Sequence, residues 1–134
     1  MPPPQSDRSL LEWVAVIDDH PSMRLSLTRA LNAYGITVES FGCAEDYLQL
    51  GAEAQPCCLV LDVQLPGMSG FDLRKALVAR DESPPPIVFI SAAEGDLPSD
   101  VARSDGLCRY LRKPFAIGEL IELLRPHLSR ALER

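Results

Sequence analysis

The chain has 134 residues, of which 46% are hydrophobic and 24% are charged, and its formal net charge is −6 at pH 7. This length and composition are typical of one globular domain that can fill a hydrophobic core without disulfide bonds. The acidic balance excludes a general nucleic-acid-binding surface, which needs clustered lysine and arginine, and suits a protein that binds a cation or a basic partner.

The first residues, MPPPQSDRSLL, are polar and rich in proline. They predict a flexible tail over residues 1–11, followed by a single domain over residues 12–134. The tail has neither the basic start nor the apolar core of a secretory signal, and the sequence has no apolar run long enough to cross a membrane. We therefore expect a protein of the reducing cytoplasm, with its four cysteines as small buried thiols.

Five short, mostly apolar runs predict β-strands. The first, third and fourth are continuous, which is typical of strands buried on both faces. The second alternates between apolar and polar residues, which indicates a strand nearer the edge of a sheet. In order, the runs are residues 13–17 (WVAVI), 36–41 (ITVESF), 57–61 (CCLVL), 87–90 (IVFI) and 107–111 (LCRYL).

Apolar residues at helical spacing separate these runs. Met23, Leu27 and Leu31 begin a stripe that reaches Tyr34, and Gly35 is expected to end this first helix. Shorter helices are predicted for residues 43–50 and 71–80.

The last third of the chain carries one weak and one strong helical pattern. Residues 94–106 offer few apolar positions, so we expect a short or mobile helix there. The stripe from Ile117 to Leu128 is strong, but Pro126 lies inside it and should kink or end the helix near Arg125. Five strands that alternate with helices predict an α/β fold around a parallel sheet, with helices on both faces.

Charged and hydroxyl residues stand at the carboxyl ends of four predicted strands. These ends meet at one edge of an open α/β sheet, where ligands bind. The residues are Asp18 and Asp19 after the first strand, Asp62 after the third, Ser91 after the fourth and Lys113 after the fifth. Taken singly, an aspartate at a strand end usually caps a turn or a helix. Convergence from four strands is what indicates a functional site.

The chemistry of this set favours phosphoryl transfer. Carboxylates that converge in a cleft repel each other unless a cation joins them, and oxygen ligands favour Mg²⁺. Ser91 and Lys113 can hold an anion, and the ionised carboxylate of Asp62 can act as a nucleophile without a partner base. His20 beside the acidic pair more often borders a cleft or caps a helix than binds a metal, and Tyr110 taken alone fits a core position.

The chain resembles the response regulator receiver domains, the CheY-like superfamily of two-component signalling. The resemblance covers about residues 14–124 and is carried by VIDDH around Asp18 and Asp19, LVLDVQLPGMSGFDL around Asp62, FISA around Ser91 and YLRKPF around Lys113. The stretches VIDDHPSMRLSLTRAL and VESFGCAEDYL are most similar to the FixJ-type branch, whose members usually add a carboxyl-terminal helix-turn-helix.

The resemblance implies a flavodoxin-like, doubly wound five-stranded parallel sheet with strand order 2-1-3-4-5. It implies that Asp62 accepts a phosphoryl group from a histidine kinase or a phosphotransfer protein, or slowly from small donors such as acetyl phosphate. It also implies a metal ion, Mg²⁺ or Mn²⁺, bound directly by Asp19 and Asp62, through water by Asp18, and by the backbone carbonyl of Gln64.

The resemblance further implies a switch. Ser91 and Lys113 would hold phosphoryl oxygens, Ser91 would move inward on activation, and the ring of Tyr110 would turn inward with it. The Lys113–Pro114 peptide bond would be cis. The response would reach the surface formed by the fourth helix, fifth strand and fifth helix, about residues 97–124, which would control a downstream protein or an output domain.

Family membership would also make the chain a bacterial cytoplasmic signalling domain that acts as an enzyme only in assisting its own phosphotransfer and dephosphorylation. It would be a monomer or a phosphorylation-dependent homodimer, with no direct binding to nucleic acid or membrane. One alternative is a receiver-like interaction module that is not phosphorylated, although the complete residue set argues against it. Another is a haloacid-dehalogenase-type phosphatase, which usually has a second aspartate where this chain has Gln64. A flavin or nucleotide site lacks the glycine-rich phosphate loop after the first strand.

Overall fold

The computed structural model describes residues 12–51, 54–81, 83–92 and 108–128. The predicted tail, residues 1–11, and the weak helical segment, residues 94–106, lie outside these ranges. The strands are β1 (Trp13–Ile17), β2 (Thr37–Phe41), β3 (Cys58–Asp62), β4 (Ile87–Ser91) and β5 (Cys108–Arg112). The helices are α1 (Pro21–Ala33), α2 (Ala44–Leu48), α3 (Gly70–Arg80) and the C-terminal helix (Ile117–Leu124). None of these helices has the length and apolar composition that crossing a bilayer requires.

Parallel pairing joins the five strands into one sheet in the order β2-β1-β3-β4-β5, which confirms the predicted strand order. Every residue of β1, β3 and β4 is buried, whereas β2 and β5 at the two edges carry exposed residues. The continuous apolar runs form the middle strands because helices cover both of their faces. The alternating run forms an edge strand, as predicted.

Successive side chains of the middle strands enter two separate cores, one on each face of the sheet. Trp13, Ala15 and Ile17 of β1 pack in the core that α2 and α3 cover. Val14 and Val16 pack in the core that α1 and the C-terminal helix cover. Close packing on both faces therefore holds the middle strands in place.

The ends of α1 and α3 follow local sequence signals. Pro21 begins α1, where its fixed φ suits the first turn, and Gly35 follows the helix with a φ of 84°. A reciprocal capping box begins α3, because Ser69 Oγ accepts from the backbone N–H of Asp72 at 3.1 Å and Asp72 Oδ2 accepts from the N–H of Ser69 at 3.3 Å. This cap fixes the residue at which α3 begins.

Pro126 has the predicted effect on the C-terminal helix, which ends at Leu124 and continues as a 3₁₀ turn (Arg125–His127). The predicted stripe of α1 is wrong at its last position. The helix ends at Ala33, and the side chain of Tyr34 is 43% exposed. Because Tyr34 is no longer helical, the helical period does not determine its direction.

The cysteine prediction holds for two residues and fails for the other two. Cys58 and Cys108 are buried, whereas Cys43 and Cys57 are half-buried because they lie just outside α2 and β3. All four are free thiols. Burial raises the pKa of Cys58 to about 12. Its thiol therefore stays protonated and unreactive in the native state.

Leucine-to-alanine substitutions at two positions of α1 test this packing. Leu31 is fully buried and Leu25 is 50% exposed. Leu31→Ala should lower the free energy of unfolding by about 3 kcal/mol, because it removes buried methyl groups and leaves a cavity. Leu25→Ala, the same change in the same helix, should shift it by less than about 0.5 kcal/mol. Urea denaturation of both variants measures the difference; equal losses would contradict the assigned face of α1.

Candidate functional site

The structure brings the predicted polar residues to the carboxyl edge of the sheet. Asp18 directly follows β1, Asp62 is the last residue of β3, and Ser91 is the last residue of β4. Asp62 pairs in register with Ile90, so Ser91 stands one residue beyond it on the neighbouring strand. Lys113 follows β5. Four strands therefore contribute to one site.

Two buried carboxylates share one ammonium group at this site. Lys113 Nζ lies 3.2 Å from Asp62 Oδ2 and 3.4 Å from Asp18 Oδ2. Asp18 is 2% exposed and Asp62 is 5% exposed. A single cation cannot neutralise two carboxylates, so the pair keeps a net negative charge in a poorly solvated place.

Further polar groups surround Asp18 on its other side. Asp18 Oδ1 accepts from the backbone N–H of His20 at 2.8 Å. The ring Nδ1 of His20 lies 3.1 Å from Asp18 Oδ1 and 3.1 Å from Asp19 Oδ1. One ligand atom from each of these three residues and from Asp62 falls within 4.8 Å of the others. This cluster of three carboxylate oxygens and one ring nitrogen is small enough for one divalent cation to contact.

The carboxylate of Asp62 is ordered by the loop that follows it. The backbone N–H of Gln64 donates to Asp62 Oδ1 at 2.8 Å. The backbone N–H of Gly70 donates to the carbonyl of Val63 at 3.0 Å, which draws the start of α3 against the end of β3. A Cβ on Gly70 would lie 2.6 Å from the backbone oxygen of Asp62. Only glycine fits that close approach.

For both Asp62 and Lys113, burial and the neighbouring charges shift the pKa in opposite directions. Burial raises the pKa of Asp62, and although the N–H of Gln64 and the ammonium of Lys113 oppose this, the net pKa is raised. Burial lowers the pKa of Lys113, but the carboxylates of Asp62 and Asp18 outweigh it, so the net pKa is raised. Lys113 is thus a cation at neutral pH, and Asp62 holds its negative charge at an energetic cost.

An open pocket of about 360 Å³ lies over these groups. Both polar and apolar residues line it; they are Asp19, His20, Asp62, Gln64, Leu65, Pro66, Ala92 and Lys113. Ser91, which precedes Ala92, is 7% exposed, and its backbone oxygen accepts from the N–H of Lys113 at 2.9 Å. The pocket has room for a phosphoryl group in contact with Asp62.

The predicted aromatic switch residue lies in a row of three rings. Tyr110 is half-buried and stacks on Phe89 of β4, with ring centroids 5.3 Å apart and planes at 15°. Phe89 contacts Phe71, in the first turn of α3, at 5.0 Å. The Lys113–Pro114 peptide bond is cis. The row links the strand beside Lys113 to the helix that follows Asp62.

Sequence reasoning missed two residues that shape the site. Arg24 donates from Nη1 to the backbone oxygen of Asp18 at 2.7 Å. An arginine inside a helix has no pattern that distinguishes it from a solvated surface charge. The sequence does not indicate that Gly70 must lack a side chain, because its close approach to the backbone of Asp62 is set by the tertiary fold.

Comparison with known proteins identifies the family. The profile described as "Response regulator receiver domain" matches residues 14–125. Nodulation protein W of Bradyrhizobium diazoefficiens is 43% identical over 122 residues, covering 90% of this chain and 53% of that protein. Transcriptional regulatory protein FixJ of Azorhizobium caulinodans is 36% identical over 122 residues, covering 90% of this chain and 57% of that protein. The solved structure of the response regulator StyR is 38% identical, with a TM-score of 0.77, and the match covers 87% of this chain and 59% of that one.

The chain therefore belongs to the response regulator receiver domain family. It is a two-component signalling domain with a phosphoacceptor role, as the sequence motifs predicted. It spans about half the length of the curated relatives Nodulation protein W and FixJ.

A pair of glycine-to-alanine substitutions tests the close approach of α3 to Asp62. Gly70→Ala should lower the free energy of unfolding by about 1–3 kcal/mol, since the new Cβ meets backbone atoms that cannot give way. Gly118 lies in the first turn of the C-terminal helix with nothing within 4 Å of a built Cβ. Gly118→Ala should therefore be neutral or stabilising by about 0.5 kcal/mol. A Gly70→Ala protein as stable as the wild type in urea would contradict this geometry.

Because the pKa of Asp62 is raised, we expect removal of its carboxylate to raise the melting temperature by an amount that depends on pH. The folded state binds the proton of this carboxyl more tightly than the unfolded chain does, so its contribution to stability is full at acidic pH and is lost as the pH rises. At pH 7 with chelator present, Asp62→Asn should melt about 2–5 °C higher than the wild type, and the gain should shrink toward acidic pH. Calorimetry over a pH series measures this. Asp46→Asn, at an exposed position of α2, is the control and should show no such trend.

Proposed function

We propose that Asp62 is the residue that accepts the phosphoryl group, from the phosphohistidine of a kinase or a phosphotransfer protein. The observation that carries this proposal is the position of Asp62 at the floor of an open pocket, with its Oδ2 3.2 Å from Lys113 Nζ. Burial destabilises the ionised carboxylate of Asp62. Conversion to an acyl phosphate would remove that buried charge and place the new charge further out in the pocket. The chain works in the bacterial cytoplasm, where such donors act.

The transfer needs little from the protein beyond placement and charge. A carboxylate oxygen of Asp62 attacks phosphorus, the new P–O bond forms as the P–N bond of the donor breaks, and the leaving imidazole takes a proton from solvent. Lys113 stays protonated and pairs with a phosphoryl oxygen, and the hydroxyl of Ser91 donates to another. These residues assist only the phosphorylation and dephosphorylation of this chain.

The donor set fits Mg²⁺, or Mn²⁺ in its place. Carboxylate oxygens of Asp18, Asp19 and Asp62 lie close together, their net charge exceeds what Lys113 neutralises, and oxygen donors are what a hard cation prefers. Asp19 and Asp62 would hold the ion directly, Asp18 would hold it through water, and the carbonyl of Gln64 would complete the protein ligands. When bound, the ion supplies charge neutralisation between the carboxylates and the incoming phosphoryl oxygens.

The output follows from added charge. Phosphorylation brings up to about two negative charges into the pocket, which draws Ser91 and Lys113 toward the phosphoryl oxygens. The ring of Tyr110 then turns inward beside Phe89, and the surface formed by the fourth helix, fifth strand and fifth helix changes its partner preference. The partner is a downstream protein or an output domain. The chain does not itself contact nucleic acid, and it acts as a monomer or as a phosphorylation-dependent dimer.

A second class of protein, a phosphatase, would use the same aspartate, hydroxyl and lysine groups, and the residue at position 64 distinguishes it from a receiver domain. A haloacid-dehalogenase-type phosphatase needs an acid at that position to activate water for repeated turnover, and an amide cannot take up a proton. Stoichiometric labelling therefore separates a receiver from a phosphatase, which would hydrolyse a phosphate ester many times.

Intact-mass measurement after incubation with acetyl phosphate and Mg²⁺ tests the acceptor. The wild type should gain one phosphoryl group, because Asp62 is the one carboxylate in the described part of the chain that both contacts Lys113 and lines the pocket. Asp62→Asn should gain none, Asp46→Asn should label as the wild type does, and chelation of the metal should abolish labelling.

Two other outcomes of the labelling experiment would contradict the proposal. Labelling of Asp62→Asn would assign the acceptor to another residue. No labelling of the wild type by acetyl phosphate or phosphoramidate, with Mg²⁺ binding intact, would instead favour a receiver-like interaction module.

A further inference from the structure

A short hydrogen-bond network fixes the backbone at the end of β1. Arg24 Nη1 donates to the carbonyl oxygen of Asp18 at 2.7 Å, a short, charge-assisted bond. On the other side, the backbone N–H of Asp18 donates to the carbonyl of Phe41 at 3.1 Å. Both polar backbone groups of Asp18 are thereby held, one by the edge strand β2 and the other by the Arg24 side chain.

The bond from Arg24 acts on a particular peptide unit. The carbonyl of Asp18 belongs to the peptide bond that joins Asp18 to Asp19, the two neighbouring acids of the cluster. The plane of that peptide decides where both side chains point, because each is attached to a Cα at one end of it. The backbone N–H of Arg24 also donates to the carbonyl of His20 at 3.1 Å, which joins the residue after Asp19 to the first turn of α1.

Gly42 provides the space for this arrangement. A Cβ on Gly42 would lie 3.2 Å from Arg24 Nη1 and 3.7 Å from Cζ. The φ of Gly42 is not among the positive values of the described glycines, so its backbone itself accepts other residues. The guanidinium of Arg24, which lies over this position, is therefore what a side chain at residue 42 would displace.

We propose that Arg24 is a positioning residue for the cation and phosphoryl site. It holds the Asp18–Asp19 peptide in the plane that presents both carboxylates to one cation, and it does so without contacting the cation or the phosphoryl group. The inference rests on the proposed binding of Mg²⁺ at this cluster. Outer partners that orient metal ligands in this way typically change metal affinity by about 10–100-fold when they are removed.

The sign of the effect separates positioning from simple electrostatics. Arg24 is a cation close to the carboxylates, so if charge alone mattered, its removal would strengthen Mg²⁺ binding. If Arg24 only stabilised the fold, its removal would lower the melting temperature and leave the affinity of the folded protein unchanged. Positioning predicts weaker Mg²⁺ binding despite the loss of a positive charge.

Calorimetric titration of the 134-residue chain with Mg²⁺ tests this on three variants. Arg24→Met should bind Mg²⁺ about tenfold more weakly than the wild type. Gly42→Ala should show a smaller loss in the same direction, because it displaces the guanidinium and keeps its charge. Arg29→Met, at an exposed position of the same helix, should bind as the wild type does or slightly more tightly. The rise in melting temperature at saturating Mg²⁺ gives an independent second readout.

Unchanged or tighter Mg²⁺ binding by folded Arg24→Met would overturn the inference. If Arg24→Met fails to fold, Gly42→Ala decides alone, and wild-type affinity in that variant overturns it equally. A wild type that does not bind Mg²⁺ would overturn the proposed metal site itself, which is a different result from intact binding that is indifferent to residue 24.

Discussion

One ammonium group shared between two buried carboxylates is the interaction on which the site depends. Lys113 Nζ stands 3.2 Å from Asp62 and 3.4 Å from Asp18, and neither acid has appreciable contact with solvent. Without Lys113, two unpaired charges would be buried, which costs several kcal/mol. With it, one charge still remains in excess. That imbalance suits the site to bind a cation, which would relieve the repulsion between the carboxylates and offset the negative charge that the proposed phosphorylation adds.

Such an imbalance persists only if the scaffold does not relax. The carboxylates lie at the ends of the two neighbouring central strands β1 and β3, which are buried along their whole length between two cores. Interiors packed at this density resist small displacements, so the acids cannot move apart to reduce their repulsion. The loop after Asp62 adds to this constraint, since Gly70 draws the start of α3 against the end of β3. Stability elsewhere in the fold thus maintains strain at the site, an arrangement common where function needs a group ready to react.

The same scaffold provides a physical connection away from the pocket. Phe71, Phe89 and Tyr110 form contacts from the first turn of α3 across β4 to β5. Ser91 and Lys113 stand next to this row and are joined to each other by a backbone hydrogen bond. Ser91 lies two residues after Phe89 on β4, and Lys113 lies three residues after Tyr110, so the groups proposed to bind a phosphoryl group are close in the chain to two of the three rings. The backbone at the end of β1, held by Arg24, completes the set of parts that must keep their places.

The sequence by itself determined the fold class, the strand order through its motifs, and the identity of the acidic, hydroxyl and ammonium groups. Buried strands need continuous apolar runs, and four of the five predicted strands are followed within two positions by one of those residues. The sequence misjudged Tyr34, Cys43 and Cys57, which lie at or just beyond the ends of helices and strands, where periodicity no longer fixes direction. Only the tertiary structure decided that one lysine contacts two acids, that Gly70 must lack a side chain and that the guanidinium of Arg24 lies beside Gly42 and bonds the Asp18 carbonyl. These contacts join residues of different elements, often far apart in the chain, and no local pattern encodes a distance between them.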